Sequence, residues 1–412
     1  MMTKEKTIGG LLLLASVLTT CVYESRLVRD VKSFEEGRSV VVSLSQPVAL
    51  ERNDGALVHF SGLITTTAAL PSPAHAKAGG RPETDQSDLH LRLSPFVLDP
   101  VFGIAVKGVK LHRRVEMLQW VESSHTSTSS TPEDEDRRMD DDRERIYMYD
   151  LRWRSEVIDS SAFNDMSYWN PPEEAWVYTS LVVKAADLVV GAFPLPDELV
   201  DQIQRKDRVS LDVATRRVMA NVLNQRQGEG WEAASALRNV TVEENYLYLR
   251  NEPREPVLGD LRVFFEVTPN YPVSVCAVQQ QGGKRLVPFA STAGESLFLL
   301  EDGILTADEL FDKKTQTEMR KNRFFRLFAS VLGFIGFLVL RAPLVQRFGP
   351  LLAGAQQHLL ASSLGVALTF SVVGANWIVY RPMWAVVMWL SGWLSPAAVL
   401  LFYRAKERLK AQ

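Results

Sequence analysis

The sequence predicts an α+β multi-pass membrane protein, with a large strand-rich lumenal domain between one N-terminal and three C-terminal transmembrane helices. Three observations carry the prediction. Apolar residues make up 46% of the 412, and the mean hydropathy of −0.04 is a globular-looking average that conceals long uncharged runs at the two ends of the chain. Nearly all acids lie between Glu24 and Glu318, and that region contains no apolar run of the roughly 20 residues needed to cross a bilayer. Short alternating stretches punctuated by glycine and proline recur there instead, as strands do.

Charge and cysteine content narrow the function classes. A net charge of −3 supplies no basic field of the kind phosphate backbones require, which argues against nucleic acid as a partner. Cys21 falls in an apolar run and Cys276 in the polar region, so the two are not expected to pair. Neither a disulfide scaffold nor a Cys2His2 or CxxC zinc pattern is available.

The first element is an apolar segment at residues 8–23, preceded by a short cytosolic N-terminus at 1–7 with Lys4 and Lys6. At about 16 residues it is shorter than a typical span and suits a thin, ER-like bilayer. A basic stretch before a short apolar run also describes a cleaved signal peptide. The uncleaved anchor is the expectation.

Residues 24–323 form the large domain. Strands are expected at 39–44, 57–60, 246–249, 261–267 and 273–278, with Gln281-Gly282-Gly283-Lys284 as a hairpin turn. The stretch 109–121 alternates so that Leu111, Arg113, Val115, Met117, Gln119 and Val121 share one face. Ser210 as N-cap followed by Leu211, Ala214, Val218, Met219 and Val222 predicts a helix to about residue 224. Thr306-Ala307-Asp308-Glu309 reads as a capping box opening a helix towards the second span. Loops are expected at about 71–88 and 123–145. The second contains Glu133-Asp134-Glu135-Asp136 and Asp140-Asp141-Asp142, which lack the ligand spacing of an EF-hand and read as a solvated acidic loop rather than a calcium site.

Three further spans follow at 324–340, 359–380 and 384–403, with a cytosolic loop at 341–358 and a basic cytosolic tail at 404–412. Only Arg381-Pro382-Met383 separates the last two, which forces an antiparallel helical hairpin. Trp377, Tyr380, Trp384 and Trp389 are expected to anchor its water-facing end. Gly365, Thr369 and Gly374, with Ser362 and Ser363, form a helix-packing face of small residues through which a neighbouring helix, and hence a second copy of the chain, could approach.

Four crossings place both termini on one side, and Arg404, Lys406, Arg408 and Lys410 argue that this side is the cytosol. Arg320, Lys321, Arg323 and Arg326 at the near end of the second span pull the other way. Asn239-Val240-Thr241 is a glycosylation sequon compatible with a lumenal domain. Arg408 and Lys410, fifth and third from the end, form a candidate ER retrieval signal, although basic residues after a last span are also what orientation alone requires.

Catalytic patterns are absent from the sequence. The six histidines include no HExxH, no serine lies in a GxSxG, and no strand leads into a GxGxxG or Walker loop. His112 and Glu116 share one side of a strand, and a solvated outer face is the expected reading of that pair. Arg154 and Glu156 at spacing two fit a strand-face ion pair. Asn376 near the end of the third span reads as a structural hydrogen bond or a wet helix end. The spans show no interior acid or base beyond Arg326. No catalytic residue, cofactor or metal is therefore expected.

Several longer blocks carry a family resemblance. They include Glu36-Gly37 with Ser39-Val40-Val41-Val42-Ser43, Asn53-Asp54-Gly55 with Leu57-Val58-His59, and Asp99-Pro100-Val101-Phe102-Gly103. The run Val109-Lys110-Leu111-His112-Arg113-Arg114-Val115-Glu116-Met117-Leu118-Gln119-Trp120-Val121-Glu122 follows, then Trp153-Arg154-Ser155-Glu156-Val157-Ile158 and Gly259-Asp260-Leu261-Arg262-Val263. Leu286-Val287-Pro288-Phe289 and Tyr380-Arg381-Pro382-Met383-Trp384-Ala385 complete the series. In this order the chain resembles the transmembrane protein 43 (LUMA) family of ER and inner nuclear membrane proteins. The stretches 70–92, 123–145 and about 170–228 depart from the family pattern.

The resemblance implies one span, a lumenal domain and three more spans. It also implies a non-enzymatic scaffold that self-associates as a homo-oligomer in the lipid bilayer and contacts inner nuclear membrane or lamina proteins such as lamins and LEM-domain proteins. The alternative is a channel or transporter subunit formed by oligomerised spans.

Overall fold

The computed structural model describes residues 2–67, 94–126, 145–211, 239–250, 255–340 and 356–410. In chain order its elements begin with α1 (Met2–Val40), β1 (Val42–Ser43), β2 (Leu57–Thr66), β3 (Phe96–Leu98), β4 (Ala105–Lys107), β5 (Lys110–Thr126) and β6 (Arg145–Arg154). Next are β7 (Leu181–Lys184), β8 (Leu188–Val190), β9 (Phe193–Pro194), α2 (Asp197–Asp201), β10 (Asp207–Arg208), β11 (Asn239–Glu243), β12 (Tyr246–Arg250) and β13 (Leu261–Thr268). The chain closes with β14 (Pro272–Gln280), β15 (Arg285–Val287), β16 (Phe289–Ala290), β17 (Ser296–Leu297), β18 (Leu299–Asp302), α3 (Ala307–Val339), α4 (Gln356–Trp377) and α5 (Pro382–Lys410). These fall into two units, Gly62–Val273 and Met1–Ser61 with Ser274–Gln412.

The unit 62–273 is built on β5, which pairs antiparallel with β13, β6 and β7. Its sheet runs β11-β12-β13-β5-β6. The alternation at 109–121 is the physical cause of its core: Leu111, Val115 and Met117 are fully buried against Leu247, Leu261, Val263 and Phe265. Arg113 and Gln119 lie on the same face, and Arg113 is accommodated because Asp99 neutralises it at 3.0 Å. Asp99 also accepts the backbone N–H groups of Val101 and Phe102. The Asp99–Gly103 block is thus a turn whose capping carboxylate doubles as the counter-ion of a buried arginine.

Two expectations need correction in this unit. Residues 123–126 and 145 are not loop, because β5 and β6 pair as far as Ser123↔Met148 and Thr126↔Arg145; the acidic run itself lies outside the described residues, as do 71–88. At Lys110 and His112 the outer side of β5 is covered instead of solvated. Lys110 and His112 are 4% and 6% exposed. The Lys110 ammonium donates to the carbonyls of Val200 and Ile203 at the end of α2, and Glu116 pairs with Arg262 at 2.6 Å instead of with His112. The helix expected from Ser210 lies outside the described residues from position 212 onward.

In the other unit β1 pairs parallel with the first part of β2. The hairpin β14-β15 turns through Gln281–Gly283 as expected, with Gly282 at φ 63 supplying the left-handed turn. Its core joins Leu57, Cys276, Val278, Leu297 and Leu299 to Phe34 of α1 and to Leu310 and Phe311 of α3. The helices that enter the membrane are therefore part of the same packed body as these strands.

Among the described residues, four helices are long and apolar enough to cross a membrane, one N-terminal and three C-terminal. The apolar segments at 8–23 and 324–340 are portions of longer helices. α1 continues unbroken to Val40, and α3 begins seventeen residues before Phe324, at the capping box, where Thr306 and Glu309 each accept or donate across the first turn. α4 ends at Trp377 and α5 begins at Pro382, with the Arg381 N–H donating to the Trp377 carbonyl at 2.7 Å. The two form the antiparallel hairpin that so short a turn requires.

Candidate functional site

The densest meeting of polar side chains among the membrane helices lies where their apolar parts end. Glu24 is the first residue after the apolar part of α1, and its side chain is 1% exposed. One carboxylate oxygen, Oε1, accepts from the Asn322 amide at 2.6 Å and from Arg326 Nε at 2.5 Å. The other, Oε2, accepts from Arg326 Nη2 at 3.0 Å and from the Trp377 indole N–H at 2.8 Å. Four donors occupy the roughly four lone-pair positions that a carboxylate offers. The arginine contact is bidentate, the strongest form of this interaction.

Local sequence explains the convergence. Asn322 and Arg326 are four apart on α3 and so lie on one face. Trp377 closes α4, and its ring packs with Leu27, Val28, Val31 and Val373 in a small apolar cluster that shields the pair. Tyr23 and Phe325 stack at 3.5 Å beside it. Chemically this arrangement ties three helices together. No acceptor on the carboxylate is left for a substrate or a transferable proton.

A second tie lies at the hairpin turn. Glu35 of α1 accepts from the Tyr380 hydroxyl and from Arg381, and Lys32 stands 5.0 Å from the centre of the Tyr380 ring. Between the two ties is a cavity of about 300 Å³ whose lining includes Arg323, Arg326, Arg381, Trp377 and Trp384.

Sequence reasoning singled out Arg326 and missed Glu24, having placed the acid at the start of the large domain. It also gave Trp377 and Trp389 to the membrane surface. Trp377 is 7% exposed, and the Trp389 indole donates to the Ser371 carbonyl inside the hairpin. Trp377 is interior and Trp389 half-buried, each with its indole N–H satisfied by a hydrogen bond. Trp384 is 55% exposed, as an interfacial residue would be.

The remaining sequence-selected residues are placed as follows. A Cβ on Gly365 would sit 2.7 Å from Phe334 N and 2.8 Å from the Ser330 carbonyl of α3, and one on Gly374 would sit 2.4 Å from the Trp389 indole of α5. The Ser330 hydroxyl donates to Thr369, which is 1% exposed. This small-residue face therefore receives helices of its own chain, and a second copy would have to meet another surface. Asn376 donates to the Val372 carbonyl at 2.9 Å, a structural bond within α4. Asn239 opens the edge strand β11 in register with Arg250. Arg408 and Lys410 belong to the last turns of α5. Among the described residues no ion pair joins Arg154 to Glu156, because β6 ends at Arg154.

Among the described residues no group of three or more His, Cys, Asp or Glu side chains could hold a metal ion. The outward side of the sheet in unit 62–273 carries arginines layered on rings. Arg208 stands 3.7 Å from the Phe264 centroid, and Arg262 lies 4.4 Å from Tyr246 and 4.6 Å from Trp153. Sequence reading did not anticipate this packing, since the residues come from four separate stretches.

Comparison with known proteins gives a consistent set of relatives. Residues 117–382 match the family model described as transmembrane protein 43. The human transmembrane protein 43 is 28% identical over 399 residues, covering 92% of this chain and 86% of its own. The mouse protein is 27% identical over the same shares. A homologue from Drosophila melanogaster is 24% identical over 389 residues, or 90% and 87% of the two chains. No solved structure matches.

Proposed function

The chain belongs to the transmembrane protein 43 family, and on that premise we propose that it is a non-enzymatic, self-associating scaffold of the ER and inner nuclear membranes. In this reading the large domain is lumenal and both termini face the cytosol or nucleoplasm. Its partners are further copies of itself and inner nuclear membrane or lamina proteins, and Arg408 and Lys410 assist its retention in the ER.

The observation that carries the reading is the continuity of α1 and α3. Both run without a break from their apolar parts into the strand-bearing core at Phe34, Leu310 and Phe311, and Glu24 fastens them to each other and to α4. A body whose membrane and extramembrane parts share one core holds docked partners at a fixed height and orientation. The same saturated carboxylate lends little to the channel or transporter alternative, because a conducting site needs ligating groups free to bind and release.

Co-purification of two differently tagged copies from nuclear-envelope and ER fractions tests the proposal. Recovery of both tags together with nuclear-envelope proteins is expected. A strictly monomeric protein with no enriched membrane partner would contradict it.

A further inference from the structure

We propose that the cavity between α1, α3, α4 and α5 is a binding site for the headgroup of an anionic glycerophospholipid. Three arginines, Arg323, Arg326 and Arg381, line it and no acidic residue does. Arg326 and Arg381 are answered from outside the lining by Glu24 and Glu35. Arg323 is exposed and has no carboxylate within salt-bridge distance among the described residues. The cavity therefore keeps an uncompensated positive charge, and an anion is the complementary occupant.

The rest of the lining selects a lipid over a soluble anion. Leu27, Val373, Met388 and Trp384 supply apolar surface beside the guanidinium groups. The site lies where α1 leaves its apolar part, where α3 enters its own, and at the turn between α4 and α5. Four crossings put all three of these points on the same side of the membrane as the large domain, at the level of the lipid headgroups. A volume of about 300 Å³ takes a phosphate and its glycerol but not whole acyl chains. Phe324 and Leu327, 66% and 65% exposed, provide an outer surface along which the chains can run. Basic pockets between membrane helices recognise anionic headgroups in this way.

Native mass spectrometry of the detergent-solubilised full-length protein, titrated with phosphatidylserine or phosphatidylcholine, tests the site. Wild type should bind the anionic lipid about tenfold or more tightly than the zwitterionic one. Arg323→Gln should weaken phosphatidylserine by about fivefold, and Arg323→Gln with Arg381→Gln should bring the two lipids within about twofold of each other. Arg320→Gln, on the same helix but outside the lining, should behave as wild type. Because Arg381 also holds Glu35, the single Arg323→Gln variant, which breaks no ion pair, decides the matter if the double variant unfolds. Equal affinity of wild type for both lipids, or an Arg323→Gln effect no larger than that of Arg320→Gln, would overturn the proposal.

Discussion

Glu24 shows how a single charge can organise a membrane bundle. Burying a carboxylate is costly unless it is paired and hydrogen-bonded, and here every acceptor position is used. Removing one partner leaves the other uncompensated, so Glu24→Ala should destabilise the helical unit by about 3–5 kcal/mol. Replacing both partners by apolar residues, Glu24→Leu with Arg326→Met, should recover most of that loss. Thermal unfolding of the purified variants measures both, and a double variant no better than the single would count against the lock. His112 supplies a pH-dependent counterpart outside the membrane. Burial first, and then Lys206, Lys110 and Arg114, push its pKa down from 6.5 to about 4. The unfolded chain therefore takes up a proton that the folded one refuses. Stability of unit 62–273 should be full above pH 6.5 and fall as the pH drops towards 4, and His112→Gln should flatten that part of a pH–stability profile. Neither role was legible in advance: the sequence alone puts His112 on a solvated face. Hydropathy breaks at Glu24 because a charge ends an apolar run, whether or not a partner awaits it in space. The cover over His112 comes from segments far away in the chain.

Elements with strong local signals were legible from sequence. The capping box at Thr306, the Gln281–Gly283 turn and the α4-α5 hairpin each rest on residues within a few positions of one another, and the structure has all three. The extent of β5 and β6 was not legible, because Ser, Thr and charged residues at 123–126 read as loop and become strand only when paired. The role of the small-residue face on α4 likewise depends on what meets it. Gly365 meets the backbone of α3, so a leucine there should force α3 and α4 apart within one chain. We predict that Gly365→Leu lowers the melting temperature of the solubilised protein and that cross-linked oligomers decline no faster than folded protein. Selective loss of oligomers with unchanged stability would instead place this face between copies.

At the scale of the whole molecule, span parity is the governing constraint. In the proposed topology, four crossings put the large domain on the lumenal side and both termini in the cytosol, the orientation that the basic residues of 404–412 favour. Asn239 should then accept a glycan that disappears in Asn239→Gln, while a sequon engineered after Gln412 should remain bare; a glycan on the tail would reverse the orientation. The most direct measurement of the scaffold account is proximity labelling from both faces, with one labelling enzyme fused after Gln412 and another inserted between residues 71 and 88. The account predicts nuclear-envelope and lamina proteins around the tail and lumenal proteins around the insertion. Cytosolic neighbours around the insertion, or no nuclear-envelope proteins on either side, would contradict it.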